Sequence, residues 1–142
     1  MPQLPIPADL VEFLEQPNPL VMATVRPDGQ PHCVPCWYDW EDGRALLSMD
    51  AARVRLAYIR RDPRVALSVL GRESWLKHVS LVGRIVEMYT DTDLADIDRL
   101  AYRYMGMAYY DRARPRVSAW FEPELWHEFD PMKIASEEPA RG

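Results

Sequence analysis

The stretch Ser48–Arg64, SMDAARVRLAYIRRDPR, sets the reading of this chain. A strand-like ALLSM runs into it, a helix begins inside it, Pro63 stops the helix, and RVALSVL at 64–70 resumes as a strand. The stretch carries Arg53, Arg55, Arg60, Arg61 and Arg64 against Asp50 and Asp62, five positive minus two negative or +3, in a chain of formal net charge -5. A helix start offers free N–H groups and the positive end of the dipole, and arginine forks add bidentate contacts. The segment therefore reads as an anion site at a strand–helix junction, set against the plainer reading of a solvated helix face.

Outward from there, the pattern is strands at hairpin spacing. PADLVEFLE at 7–15 predicts a short helix with Pro7 in its first turn, ended by Pro17 and Pro19. PLVMATVR is a strand, PDGQ a turn, and QPHCVPCWYDW a second strand, edge-like or broken at Pro31 and Pro35. EDGR at 41–44 is a tight turn into the third strand. LKHVSLVGRIVEMY at 76–89 is a long strand with a bulge or bend at Gly83. TDTDLADIDRLAYRYMG is the clearest helix: Asp91 or Thr92 caps it, Leu94, Ile97, Leu100, Ala101 and Tyr104 form its apolar face, and Gly106 closes it. RVSAWFEPELWHEFD reads as two short strands around Glu122–Pro123, and the tail after about residue 133 as frayed. The expectation is a mainly β, α+β fold: one domain over 1–142, built as a six-stranded antiparallel split β-barrel with peripheral helices.

Composition limits the function classes. Hydrophobic residues at 48% exclude a disordered chain, and the pI near 5.2 argues against nucleic-acid binding. There is no apolar run long enough for a membrane span and no signal-peptide pattern, so a cytoplasmic location is expected. Cys33 and Cys36 form a CxxC, but positions three apart on a strand face opposite sides, so the pair is not expected to make a redox or metal site. Histidines stand only at 32, 78 and 127, and the chain has neither an HExxH nor a Ser-His-Asp signature.

The ordered set TVRPDGQPHCVPCWYDWEDGRALLSM, ARVRLAYIRRDPRVALSV, HVSLVGRIVEM and DIDRLAYRYMG resembles the split-barrel flavoproteins related to pyridoxamine 5'-phosphate oxidase, in particular the branch using the deazaflavin coenzyme F-420. The resemblance covers about residues 8–130. It implies a homodimer with cofactor at the interface, a small-molecule substrate and no membrane or nucleic-acid partner. It places the cofactor phosphate at Leu47, Ser48 and Met49 and at Arg53 and Arg55, with Arg55 where the family usually carries lysine and Tyr58 where many members carry asparagine. Pro35, Cys36 and Trp37 match the segment beside the isoalloxazine ring, and His78 falls where the oxidase branch has a glutamine near the flavin. No catalytic side chain is implied, because such a cofactor carries the hydride chemistry itself. The alternatives are the same fold reading FMN, as an oxidase or redox carrier, and a non-enzymatic cofactor-binding protein. His127 lacks the nearby arginine that accompanies it in the oxidase branch, which disfavours pyridoxamine phosphate as substrate. Trp120 and Trp126 read as core or dimer packing, and with Phe121 as apolar area for a homodimer to cover.

Overall fold

The computed structural model describes residues 1–137. Its elements are α1 (Ala8–Leu14), β1 (Leu20–Val25), β2 (Pro31–Cys36), β3 (Asp39–Glu41), β4 (Arg44–Asp50), α2 (Val54–Arg61), β5 (Arg64–Leu70), β6 (His78–Thr90), α3 (Ala95–Met105), β7 (Arg116–Phe129) and α4 (Pro131–Glu137). The strands form one antiparallel sheet in the order β2-β1-β5-β6-β7-β4-β3. β2 and β3 lie at opposite edges of that order, yet only Trp37 and Tyr38 separate them in the chain. Three Cα steps reach at most about 11 Å, so the sheet curls until its two edges meet at this corner. No ladder joins β2 to β3 among the described residues.

The sheet has seven strands where six were expected. The stretch read as one second strand breaks after Cys36 and sends its two parts to opposite edges. Pro31 and Pro35 do not break it; both sit inside β2, which pairs only with β1, and an edge strand tolerates a missing N–H. The C-terminal stretch departs from expectation in the other sense, as the single strand β7 runs through Pro123. The register with β6 slips there: Val82 faces Leu125 while Gly83 faces Pro123. A Cβ on Gly83 would collide with the Glu122 carbonyl, so the glycine and the proline share one bulge. The hairpin turn into β4 has Asp42 and Gly43 both at positive φ, 51° and 76°, as a two-residue hairpin requires.

β4 is buried from Ala45 through Asp50 because both of its faces are covered. Ala45, Leu47 and Met49 join the main core with Leu10, Phe121 and Ile59. Leu46 faces the other way, against Ile97 and Leu100 of α3. α3 starts where Asp91 accepts the amide N–H groups of Asp96 and Ile97, each at 2.9 Å, and closes at Gly106 with φ 72°. Phe121 is fully buried within the chain, while Trp120 and Trp126 pack against the core and donate their indole N–H groups to Tyr89 Oη and the Gln3 carbonyl. The apolar area expected to need a partner subunit is thus largely covered by the chain itself. Residues 134–137 lie within α4, and the remainder of the expected frayed tail lies outside the described residues. No helix among the described residues is long and apolar enough to cross a membrane.

Candidate functional site

The alternation of β4 decides which of its residues can meet a ligand. Leu47 and Met49 point into the core at 0% and 1% exposure, so the side chains of two of the three expected β4 contacts lie in the core. Ser48 points to the other side, where its Oγ accepts a hydrogen bond from Arg116 Nε at 2.9 Å. β7 places that arginine there, since Ser48 pairs with Ser118 and Asp50 with Arg116. α2 begins one turn beyond β4, and Arg55 is its second residue. The end of β2 supplies Pro35 and Cys36, and the corner supplies Trp37.

Pro35, Cys36, Trp37, Ser48, Arg55 and Arg116 line one cavity of about 280 Å³, closed on its far side by Ile97, Leu100 and Met105 of α3 and by Tyr109 and Tyr110. No carboxylate and no histidine is among these residues. Arg55 Nε is buried with no acceptor. Burial presses the Arg55 guanidinium below its usual range; Cys36 pulls the other way, and Arg53 and Arg116 add smaller pushes in the direction of burial. Burial likewise pushes the Cys36 thiol up to about 12, only partly offset by Arg55. Cys36 is therefore a neutral wall of the cavity and no nucleophile. Cys33 lies exposed on the opposite face of β2, as the strand period required. Among the described residues no group of three or more His, Cys, Asp or Glu could hold a metal.

The aromatic wall is held firmly. Trp37 stacks on Tyr104 at 5.6 Å and 8° and meets Tyr109 edge-on at 6.1 Å. Arg103, beside Tyr104 on α3, donates to the carbonyls of Tyr38, Glu15 and Gln16 at 2.9, 2.7 and 2.7 Å. Those three bonds fix the corner where the sheet edges meet. Tyr104 Oη adds a bond to the Asn18 carbonyl at 2.6 Å.

Of the expected site residues, Pro35, Cys36, Trp37, Ser48 and Arg55 converge on this cavity. Arg53 is exposed at the start of α2 and does not line it. His78 stands at the far end of the sheet. It pairs with Phe129 and stacks on that ring at 5.5 Å and 19°, whereas the cavity lies near Ser118. From Ser118 to Phe129 is 129 − 118 = 11 positions along β7, roughly 36 Å of strand. Arg116, Tyr109 and Tyr110 were not foreseen. The segment 111–116, DRARPR, hints at Arg116 by carrying three arginines and one acid. Only the folded pairing shows which one is left over: Arg112 pairs with Asp98, Arg114 with Asp50 and Asp111, and Arg116 with no carboxylate among the described residues.

Residues 6–134 match the sequence model of the pyridoxamine 5'-phosphate oxidase family, and the chain belongs to that family. Among curated proteins none matches it. Among solved structures, the chain is similar to an F420 reductase with a TM-score of 0.77 and 26% identity, covering 86% of this chain and 98% of that one. It also shares its fold with the conserved hypothetical protein Rv2991 from Mycobacterium tuberculosis, with a TM-score of 0.70, 24% identity and coverage of 94% and 89%. A FAD-binding protein from Mesorhizobium loti has the same fold, with a TM-score of 0.61, 21% identity and coverage of 83% and 87%.

Proposed function

We propose that the chain is an oxidoreductase using the deazaflavin coenzyme F-420 to reduce a small unsaturated organic substrate. The carrying observation is the cavity with two guanidinium groups, no carboxylate and an orphaned Arg55 Nε, beside the flat wall of Trp37. Such a site fits an anion attached to a planar ring. Similarity to an F420 reductase supports the deazaflavin over a flavin. So do the exposed Arg53, Arg60 and Arg61 along α2, which suit a long anionic tail better than a single phosphate.

In this reading Arg55 and Ser48 hold the coenzyme phosphate, and Pro35, Cys36 and Trp37 border its ring. The cavity takes only part of such a molecule, so the remainder extends past α2. When bound, the reduced coenzyme supplies a hydride to an activated C=C or C=N bond. The chain's own groups bind, orient and exclude water. With no acid or imidazole lining the cavity, the proton comes from solvent. The reading includes a single cofactor-binding domain over 1–142 and a homodimer in the cytoplasm, for which the family resemblance is the support.

The FMN reading uses the same cavity and is favoured by the shared fold with a FAD-binding protein. Fluorescence titration of coenzyme F-420 and FMN at one fixed salt concentration separates the two. Tighter binding of coenzyme F-420 is expected, and equal or tighter FMN binding assigns the chain to the flavoprotein alternative. Light scattering is expected to report twice the 16.5 kDa chain mass.

A further inference from the structure

Arg116 is held at the cavity in a way that no packing need explains. Its Nε donates to Ser48 Oγ at 2.9 Å, its Nη1 donates to Tyr109 Oη at 3.3 Å, and its guanidinium lies 4.8 Å over the Tyr109 ring. Both partner residues, Ser48 and Tyr109, are neutral and fix the plane of the guanidinium, while Asp50, across the β4–β7 ladder, acts on its charge without a hydrogen bond and lies outside the cavity lining. Arg55 lines the same cavity from α2, and the two like charges act on each other there. Two half-dry cations facing one cavity without an acid are costly unless an anion joins them.

We propose that Arg116 is a second phosphate ligand, gripping with Arg55 one phosphoryl group from two elements and so selecting phosphorylated over unphosphorylated ring ligands. A single arginine fork saturates a planar carboxylate. A tetrahedral phosphate offers oxygens to two forks arriving from different directions. The ligand class follows: a ring compound bearing a phosphate ester, with riboflavin-like molecules lacking it discriminated against. Tyr109 acts as a positioning residue, since it reaches the anion through Arg116, while Ser48 Oγ accepts from Arg116 and keeps its own O–H for the phosphate. The inference rests on the cofactor reading above, and its test separates the two.

Parent, Arg116→Ala, Arg116→Lys and Arg116→Gln are titrated with coenzyme F-420, FMN and riboflavin, and their melting temperatures are recorded with and without inorganic phosphate. Arg116→Ala is expected to weaken the two phosphorylated ligands by about ten- to hundredfold and riboflavin by less than about twofold. Arg116→Lys should recover part of the loss, because it keeps the charge without the fork. Combined with Arg55→Ala, the losses should not add, as for residues sharing one partner. Equal loss for FMN and riboflavin, or no loss at all, overturns the proposal while leaving the cofactor reading in place. If Arg116→Ala does not fold, the Arg116→Lys and Arg116→Gln pair decides by the same comparison. If no ring ligand binds the parent, the cofactor reading fails by itself. A phosphate-dependent rise in melting temperature that Arg116→Gln abolishes would then still support the clamp, whereas no rise, or an equal rise in both, overturns it.

Discussion

Two cavities at different corners of the molecule make opposite use of charge. The larger, about 600 Å³, lies between α1, the 71–77 loop and the start of α4. Its walls mix Arg72 and Lys77 with Asp9, Glu12, Glu73 and Asp130. Lys77 pairs there with Asp130 at 3.7 Å and lies 4.9 Å over the Phe13 ring. The smaller, about 280 Å³, has two arginines and no acid. With four acids against two cations, the larger cavity is a poor seat for an anion, however roomy it is. The smaller cavity, lined by cations alone, is the one suited to the anion of the proposed function, so the sign of the charge rather than the volume points to the site.

The β6–β7 ladder runs between the two corners, and its register slips at Gly83 and Pro123. Breaking it is the largest effect expected. Gly83→Ala drives a Cβ into the Glu122 backbone carbonyl and should cost about 3 kcal/mol, read as a drop in the urea midpoint. A midpoint unchanged within error would remove the bulge from the account.

The next effect sharpens the contrast at the unbalanced end. Arg55→Ala should weaken coenzyme F-420 binding by about 1.5–3 kcal/mol, roughly ten- to hundredfold. Because Arg55 Nε has no acceptor to lose, the same change should leave the unliganded melting temperature equal or higher. An affinity loss accompanied by a matching loss of stability would mean that Arg55 is a structural residue.

Much of this was legible in the chain. The strand–helix–strand run around Arg55, the hairpin turns, the Gly83 bulge and the Gly106 end of α3 follow from local chemistry and stand where the pattern put them, whereas α3 begins later than expected, at Ala95, because Asp93 and Leu94 both take φ 59°. Of the candidate site, residue type and local element led to Ser48, Arg55 and the Pro35–Trp37 segment, which the fold brings to one cavity, while the strand period turns the side chains of Leu47 and Met49 to the other face. His78 needed a position along a 13-residue strand, which sequence resemblance does not supply. Arg116 needed the pairing of β4 with β7, which brings it to Ser48 across 68 positions of chain, and the pairing of its neighbours Arg112 and Arg114 with Asp98, Asp50 and Asp111.

Smaller effects probe the walls. At pH 8 a thiol reagent should modify exposed Cys33 and spare Cys36, whose thiol burial raises to about 12. The folded chain favours the protonated Cys36. Its contribution to stability is therefore complete below the ordinary value of 9.0 and is lost as pH rises from there toward about 12. Equal labelling of the two cysteines in the native protein would contradict the closed wall. At the larger, acidic cavity, Lys77→Ala should cost under about 1 kcal/mol of stability and leave cofactor affinity unchanged. A loss of affinity there would erase the distinction between the two corners.

The most direct measurement is a crystal structure of the parent with coenzyme F-420 or FMN bound, read for the position of the phosphorus atom. The account predicts a phosphate within hydrogen-bond distance of the Arg55 guanidinium, in the cavity closed by Trp37 and Tyr109. A phosphate seated at the Lys77–Asp130 cavity, or anywhere out of reach of Arg55, would contradict it.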